Sequence, residues 1–175
     1  MKTITIRLLT LADCPALLDF ETRNRGWFEQ HVAPRGEAFY SQAGVLQHIA
    51  ELLAAHAQGR GFPGLLLDET GLIIGRINLK DMDLQTGVAE LGYRLDQDRV
   101  GAGLATAAVR QMKALAQRQL GLQRLDAVVS PANPASARVL QKCGFERLDP
   151  AASAALQRGD SPLIAYRCRL DRPAD

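Results

Sequence analysis

Residues 91–109, Leu-Gly-Tyr-Arg-Leu-Asp-Gln-Asp-Arg-Val-Gly-Ala-Gly-Leu-Ala-Thr-Ala-Ala-Val, constrain the fold of this chain more than any other stretch. They read as a buried strand, a short turn carrying Gly101 and Gly103, and an amphipathic helix starting at those glycines. Beyond the turn, Thr106, Arg110, Lys113 and Gln117 form a polar stripe at helical spacing, and the remainder is mostly apolar. A helix start leaves several backbone N–H groups unpaired and carries partial positive charge, so it can hold a phosphate. Glycine lets such a ligand approach the backbone closely.

The flanking segments predict a mixed α/β (α+β) domain. Ile4 to Leu9 reads as a strand, and Asp13 as the cap of a helix through Phe20, with Pro15 tolerated in its first turn. Residues 25–36 break regularity and gather aromatic, acidic and imidazole groups in a loop. A helix over Tyr40 to Gln58 ends at Gly59 and Gly61. Apolar runs at Gly64–Asp68 and Leu72–Lys80 flank a hairpin turn, Asp68-Glu-Thr-Gly71. On the strand from Val88, residues Ala89, Leu91, Tyr93 and Leu95 share one face, and Val88, Glu90, Gly92 and Arg94 the other. Arg124 to Ser130 is a strand, Asn133 and Pro134 open a helix that Gly144 stops, and strands follow at Phe145–Leu148 and Leu163–Leu170. The order is βααβββαβαββ. One domain over residues 1–171 with a frayed tail at 172–175 accounts for the 175 residues.

Apolar content of 47% and charged content of 23% are those of a soluble globular protein, and a net charge of +2 with no dense Lys/Arg run gives no sign of a nucleic-acid partner. No apolar run reaches the roughly 20 residues of a membrane span. Cys14, Cys143 and Cys168 are scattered, and the first residues show no signal peptide. They read as reduced thiols of a cytoplasmic protein. No metal-ligand spacing is present.

Three readings compete for the glycine turn. A dinucleotide fingerprint Gly-x-Gly-x-x-Gly/Ala matches at Gly101 and Gly103, with Asp126 near the distance of a ribose-binding acid. Thr106 then occupies the third small-residue position, and the turn follows antiparallel-looking hairpins instead of opening a βαβ unit. A P-loop fails because no Gly-Lys-Ser/Thr follows. A plain strand-to-helix turn explains the glycines alone.

Two further elements decide. Val100-Gly-Ala-Gly-Leu-Ala105 before Thr106-Ala-Ala-Val resembles the acetyl-coenzyme A signature Gln/Arg-x-x-Gly-x-Gly/Ala of the GNAT superfamily of N-acetyltransferases. Asn133-x-x-Ser136 followed by Cys143-Gly-Phe145 resembles that superfamily's second motif. Glu90-Leu-Gly-Tyr93 and the aromatic loop are most similar to its ribosomal-protein N-terminal acetyltransferase (RimJ/RimL-like) branch. Val100 departs from the Gln/Arg position, with Arg99 one residue earlier, and Leu140 stands where many members carry a tyrosine.

The resemblance implies a mostly antiparallel sheet flanked by helices, with acetyl-coenzyme A in a cleft between two diverging strands and no metal. It implies direct acetyl transfer to an amine. It assigns the pyrophosphate to the amides of Gly101, Ala102, Gly103, Leu104, Ala105 and Thr106, bordered by Arg99 and Val100. It assigns the thioester carbonyl to a backbone N–H on the strand Tyr93, Arg94, Leu95, where a donor at the oxyanion contributes about 3 kcal/mol. Glu90 is the candidate base, directly or through a water, and Ser136 the candidate acid. Asn133 is open to helix capping and to a pantetheine contact. Trp27, Phe28, Glu29 and His31 are candidates for the acceptor pocket, whereas His48, His56 and Cys143 read as packed or solvated. The implied acceptor is a primary amine, either a protein N-terminus or a small molecule such as an aminoglycoside, polyamine or amino acid. A non-catalytic coenzyme A-binding regulatory domain is the rival. An exposed sheet edge near the last strand leaves room for a homodimer.

Overall fold

A computed structural model describes residues 3–156 and 162–170; the tail expected at 172–175 lies outside them. Among the described residues, seven strands form one sheet: β1 Thr5–Leu8, β2 Phe62–Leu67, β3 Ile73–Asp83, β4 Val88–Leu95, β5 Arg124–Val129, β6 Glu146–Arg147 and β7 Ile164–Arg169. Their spatial order is β1-β2-β3-β4-β5-β7-β6. Every neighbouring pair is antiparallel except β4 and β5, which run parallel. The helices are α1 Cys14–Arg23, α2 Arg25–Phe28, α3 Gln42–Ala57, α4 Leu104–Arg118, α5 Pro134–Lys142 and α6 Pro150–Leu156. None of the described helices is long and apolar enough to cross a membrane.

The period-two alternation of the strands splits the apolar residues between the two faces. Leu66, Ile77, Leu91 and Leu125 pack with Leu104, Val109 and Met112 of α4 and Leu140 of α5. Leu65 and Ile73 pack on the opposite face with Leu17 and Phe20 of α1, Phe28, and Val45 and Ile49 of α3. The two faces of β4 divide as the alternation predicts. Ala89, Leu91, Tyr93 and Leu95 lie with α4, leaving Glu90, Gly92 and Arg94 opposite Lys80, Asn78 and Arg76 of β3 on the other side.

Four local expectations change. Residues 25–36 open with one helical turn, α2, before the chain turns irregular. α3 begins at Gln42 because Ser41 is extended and its Oγ accepts the Gly44 N–H at 3.0 Å, an N-cap that displaces the expected start at Tyr40. α6 breaks the expected order by inserting a helix between the last two strands. Its signals were ordinary ones: Pro150 at the first position and Asp149, whose Oδ1 accepts the Ala152 N–H at 2.8 Å. At the other end, Asp13 does not cap α1 with its side chain; its carboxylate binds Arg7 and the Thr10 N–H and hydroxyl.

Candidate active site

The site begins where the one parallel pairing ends. β4 and β5 are registered only at Val88 with Arg124, Ala89 with Leu125 and Glu90 with Asp126. Beyond Glu90, β4 continues against β3 alone to Leu95, and beyond Asp126, β5 continues against β7 to Val129. The strands therefore open a gap between Leu91–Leu95 and Ala127–Val129. Each diverging strand leads into a helix, β4 into α4 and β5 into α5, so two helix N-termini face one crevice at the carboxyl ends of parallel strands. Such crevices bind ligands in α/β sheets generally. Along β4 the Asp96 N–H donates to Ile74 O on the β3 side at 2.8 Å. Alternation of the ladder turns the N–H groups of Tyr93 and Leu95 toward the gap.

At the head of α4, Gly103 is the N-cap residue in left-handed conformation, φ 77°, and no side chain caps the helix. The first backbone bond across the cap runs from the Ala107 N–H to Gly103 O, so the N–H groups of Leu104, Ala105 and Thr106 have no intrahelical acceptor. Gly101 has φ 80°, and a Cβ on either glycine would meet nothing within 4 Å. These glycines are conformational necessities beside open space, which fits a bulky anion held by main-chain amides. Val100 is exposed at the rim. Arg99 points away to the β2–β3 turn, where its guanidinium pairs with Asp68 at 3.0 Å. Cys143 Sγ, 3.6 Å from Thr106 O, and the Lys113 ammonium, 2.6 Å from Cys143 O, tie α5 to α4.

Asn133 caps α5: its Oδ1 accepts the Ser136 N–H at 3.1 Å. That leaves the Ser136 hydroxyl available, and it lies 2.9 Å from the Tyr93 hydroxyl, which also donates to Ser136 O at 3.2 Å. A strand residue and a helix residue are thus joined across the gap. Burial pushes the Tyr93 phenol up to about 12, against the opposing effect of its bond to Ser136. Leu140, at the position where many family members carry a tyrosine, is buried in the core. The phenol near α5 comes from β4 instead.

On the opposite face of β4, Glu90 is 11% exposed at its side chain and its carboxylate pairs with the Lys80 ammonium at 2.7 Å. Both line a cavity of about 1210 Å³ that continues past Arg94 and Arg76 to Arg35 and His48, and through the gap to Tyr93 and Ser136. Glu29 and His31 of the predicted pocket loop reach this cavity. Phe28 is a core residue whose ring lies 4.9 Å below the Arg94 guanidinium, and Trp27 packs edge-on against His31 at 4.7 Å. His56 Nδ1 donates to Gly61 O, 2.9 Å away, remote from the gap.

The charged floor of the cavity was not anticipated. Glu21, fully buried, bonds Arg76 at 2.7 Å and Arg94 at 3.2 Å. Burial alone would raise the Glu21 carboxyl, but these cations outweigh it and hold it below the ordinary carboxylate range. Its signal lay in the helical pattern, since Glu21 follows Leu17 by four residues on the apolar stripe of α1. Asp126, the candidate ribose acid, is 3% exposed and receives a bidentate pair from Arg167 at 2.7 and 3.0 Å. It is engaged within the sheet, and the dinucleotide reading loses its acidic partner.

Residues 3–146 match the family model described as Acetyltransferase (GNAT) domain. The protein named Probable N-acetyltransferase YjcK of Bacillus subtilis (strain 168) is 33% identical over 150 residues, which cover 83% of this chain and 82% of that one. Among solved structures, a ribosomal-protein-S5-alanine acetyltransferase from Vibrio fischeri superposes with a TM-score of 0.85 at 23% identity, covering 98% and 97% of the two chains. RimL, a ribosomal L7/L12 alpha-N-protein acetyltransferase solved in complex with coenzyme A, gives 0.85 at 20% identity over 98% and 96%. A strand gap flanked by two helix N-termini, a family match over most of the chain and this degree of structural likeness agree: the chain belongs to the GNAT family and is an N-acetyltransferase.

Proposed function

We propose that the protein transfers acetyl from acetyl-coenzyme A to a primary amine by direct attack, and that this amine is the α-amine of a protein or peptide N-terminus. The observation that carries the reading is that the gap between β4 and β5 joins two chemically different faces of the sheet. On the α4 side lie the amides of Gly101 to Thr106 and the Tyr93–Ser136 hydroxyl pair. On the cavity side lies Glu90. A donor entering from one side and an amine from the other meet within the gap.

The amides at the α4 N-terminus hold the pyrophosphate, and the Tyr93 or Leu95 N–H receives the developing oxyanion. Glu90 takes the amine proton, directly or through one water, as nitrogen bonds the acyl carbon and the carbon–sulfur bond breaks. The departing sulfur is a thiolate whose ordinary pKa is about 8.5. A phenol near 12 is the weaker acid, so Tyr93 and Ser136 stabilise that thiolate by hydrogen bonding more than by surrendering a proton.

The α-amine assignment follows from the base. A free α-amine has a pKa near 7.8 and is about one-third neutral at pH 7.5, whereas a lysine side chain is only about 0.1% neutral. A carboxylate base suits the former. The likeness to enzymes named for ribosomal proteins points the same way. The test is a peptide carrying both a free N-terminus and an internal lysine, incubated with acetyl-coenzyme A and sequenced by tandem mass spectrometry. Acetyl on the α-nitrogen supports the assignment; acetyl on the lysine alone refutes it. Glu90→Gln should lower kcat/KM at least about tenfold over pH 6 to 9, and an unchanged profile removes Glu90 from the base role.

A further inference from the structure

The cavity floor carries more positive charge than its own carboxylates balance. Arg76 and Arg94 face each other across β3 and β4, and both are tied to the single carboxylate of Glu21. Arg35 enters from the segment after α2, its guanidinium 4.5 Å above the Phe39 ring. Among the described residues it forms no ion pair. His48 adds no charge. Two guanidinium donors converge on its Nε2, Arg76 at 3.1 Å and Arg35 at 3.3 Å, so that nitrogen presents its lone pair and the ring is neutral. Burial, then Arg76 and Arg35, press the His48 pKa down to about 3, in keeping with that contact. Glu29 is drawn toward Arg25 at 3.0 Å, and Glu90 toward Lys80. Three guanidiniums share the one buried carboxylate of Glu21, which leaves positive charge in excess in a half-buried setting, where unpaired charge is costly.

Two orphaned polar atoms lie in the same place. Among the described residues, Arg76 Nε is a buried donor and Asn78 Oδ1 a buried acceptor, each without a hydrogen-bond partner. Arg76 and Asn78 are alternate residues of β3, so they sit one pleat repeat, about 7 Å, apart on the cavity face. Buried polar atoms are nearly always satisfied in a folded protein, and exceptions call for a ligand or a functional reason. A donor beside excess positive charge and an acceptor one step nearer Glu90 are what an anionic, amide-bearing guest would satisfy. Opposite Asn78, Gly92 carries no side chain, and the Lys80 side chain passes 3.5 Å from where its Cβ would stand.

We infer that the acceptor carries an oxyanion, a carboxylate or phosphate, which Arg35, Arg76 and Arg94 receive at a distance of two to three residues' length from the reacting amine. The inference rests on the acetyl-transfer reading above and, independently of the α-amine assignment, narrows the acceptor. Glu90 and Arg94 are four residues apart on one strand face, about 13 Å between backbones. Arg94 is anchored on Glu21 and over Phe28, and Arg35 lies beside His48, so the side chains at the two ends of that span leave roughly 10 Å between amine and anion. An acidic side chain at the second or third position of a peptide meets this spacing, as does a small aminoalkyl phosphate. Polyamines and aminoglycosides, being polycations, are repelled by the same floor.

The test compares acceptors that differ only in the anion, using the wild-type protein with saturating acetyl-coenzyme A. The peptide amides Ser-Glu-Ala and Ser-Gln-Ala form one arm, with Ser-Lys-Ala as the cationic control; 3-aminopropyl phosphate and 3-aminopropanol form the other. The anionic member of at least one pair should exceed its neutral twin at least about tenfold in kcat/KM, and whichever arm does so identifies the source of the oxyanion. Ratios within twofold in both arms, or preference for the lysyl peptide, overturn the inference while leaving acetyl transfer intact. Arg35→Gln should bring the favoured ratio to near one with the melting temperature preserved; a ratio that survives removes Arg35 from the site. If no amine is acetylated although acetyl-coenzyme A binds, the transferase reading has failed, and calorimetry with glutarate decides the anion separately. Glutarate affinity that falls about tenfold in Arg35→Gln upholds the anion site, and absence of glutarate binding to the wild type overturns it.

Discussion

The hydroxyl of Tyr93 on β4 lies 2.9 Å from the hydroxyl of Ser136 on α5, and this contact bridges the two elements that diverge around the gap. It couples a positioning role to a chemical one. Tyr93→Phe and Ser136→Ala each remove one partner, and each should lower kcat by about tenfold at a stability cost of about 1 kcal/mol. Because the two groups act as a unit, the double variant should lose little more than either single one. Steady-state kinetics on the three variants checks this; losses that multiply contradict it.

At the α4 N-terminus, holding falls on the backbone because Val100 is exposed at the rim and Arg99 is engaged with Asp68. Val100→Arg adds a cation beside the amides and should tighten acetyl-coenzyme A binding by about three- to tenfold, as calorimetry would record. Gly103→Val forces a β-branched residue to φ 77°, costing roughly 1–2 kcal/mol, and weakens the same binding. An unaltered affinity in both variants would place the pyrophosphate elsewhere.

Among the described residues, Glu21 is the single carboxylate bonded to Arg76 and Arg94 beneath the cavity. Glu21→Gln leaves two guanidiniums buried without their counter-charge, and should cost about 3–5 kcal/mol in urea unfolding. A loss below about 1 kcal/mol would mean that solvent already compensates these cations.

Stability should depend on pH through His48. Its folded pKa is about 3 against 6.5 for the unfolded chain, so between those values the unfolded state binds a proton that the native state does not. The contribution is therefore complete above pH 6.5 and is lost progressively as pH falls toward 3. The slope is at most about 1.4 kcal/mol per pH unit, reduced by the partial exposure of the ring. Glu21, Asp13 and Asp96, all held below the ordinary carboxylate range, add to the loss only at lower pH, as each is protonated. Denaturant unfolding between pH 4.5 and 8 should show the decline in the wild type and a flatter one in His48→Gln. Equal slopes would mean that His48 titrates normally.

The sheet and its two helical layers were legible because strand alternation and helical stripes record burial directly. Val88 to Leu95 assigned its two faces correctly, residue by residue. The α4 and α5 starts were legible because Gly103, Asn133 and Pro134 are local signals. The Arg76–Glu21–Arg94 cluster was not, because it joins α1 to the sheet across 55 and 73 residues of chain and depends on pairing that no local pattern encodes. The same holds for Tyr93 and Ser136, 43 residues apart. Phe28 reads in sequence as a pocket residue with its neighbours, but α2 turns it into the core.

The most direct test of direct transfer through the gap is a single-turnover experiment that follows coenzyme A thiol release and acceptor acetylation together, with and without a peptide bearing a free N-terminus. The structure predicts thiol release only when the amine is present, one acetyl gained by the peptide for each thiol, and no acetyl retained on the protein. Thiol release without amine accompanied by an acetylated protein, or firm coenzyme A binding with no amine-dependent release, would contradict it.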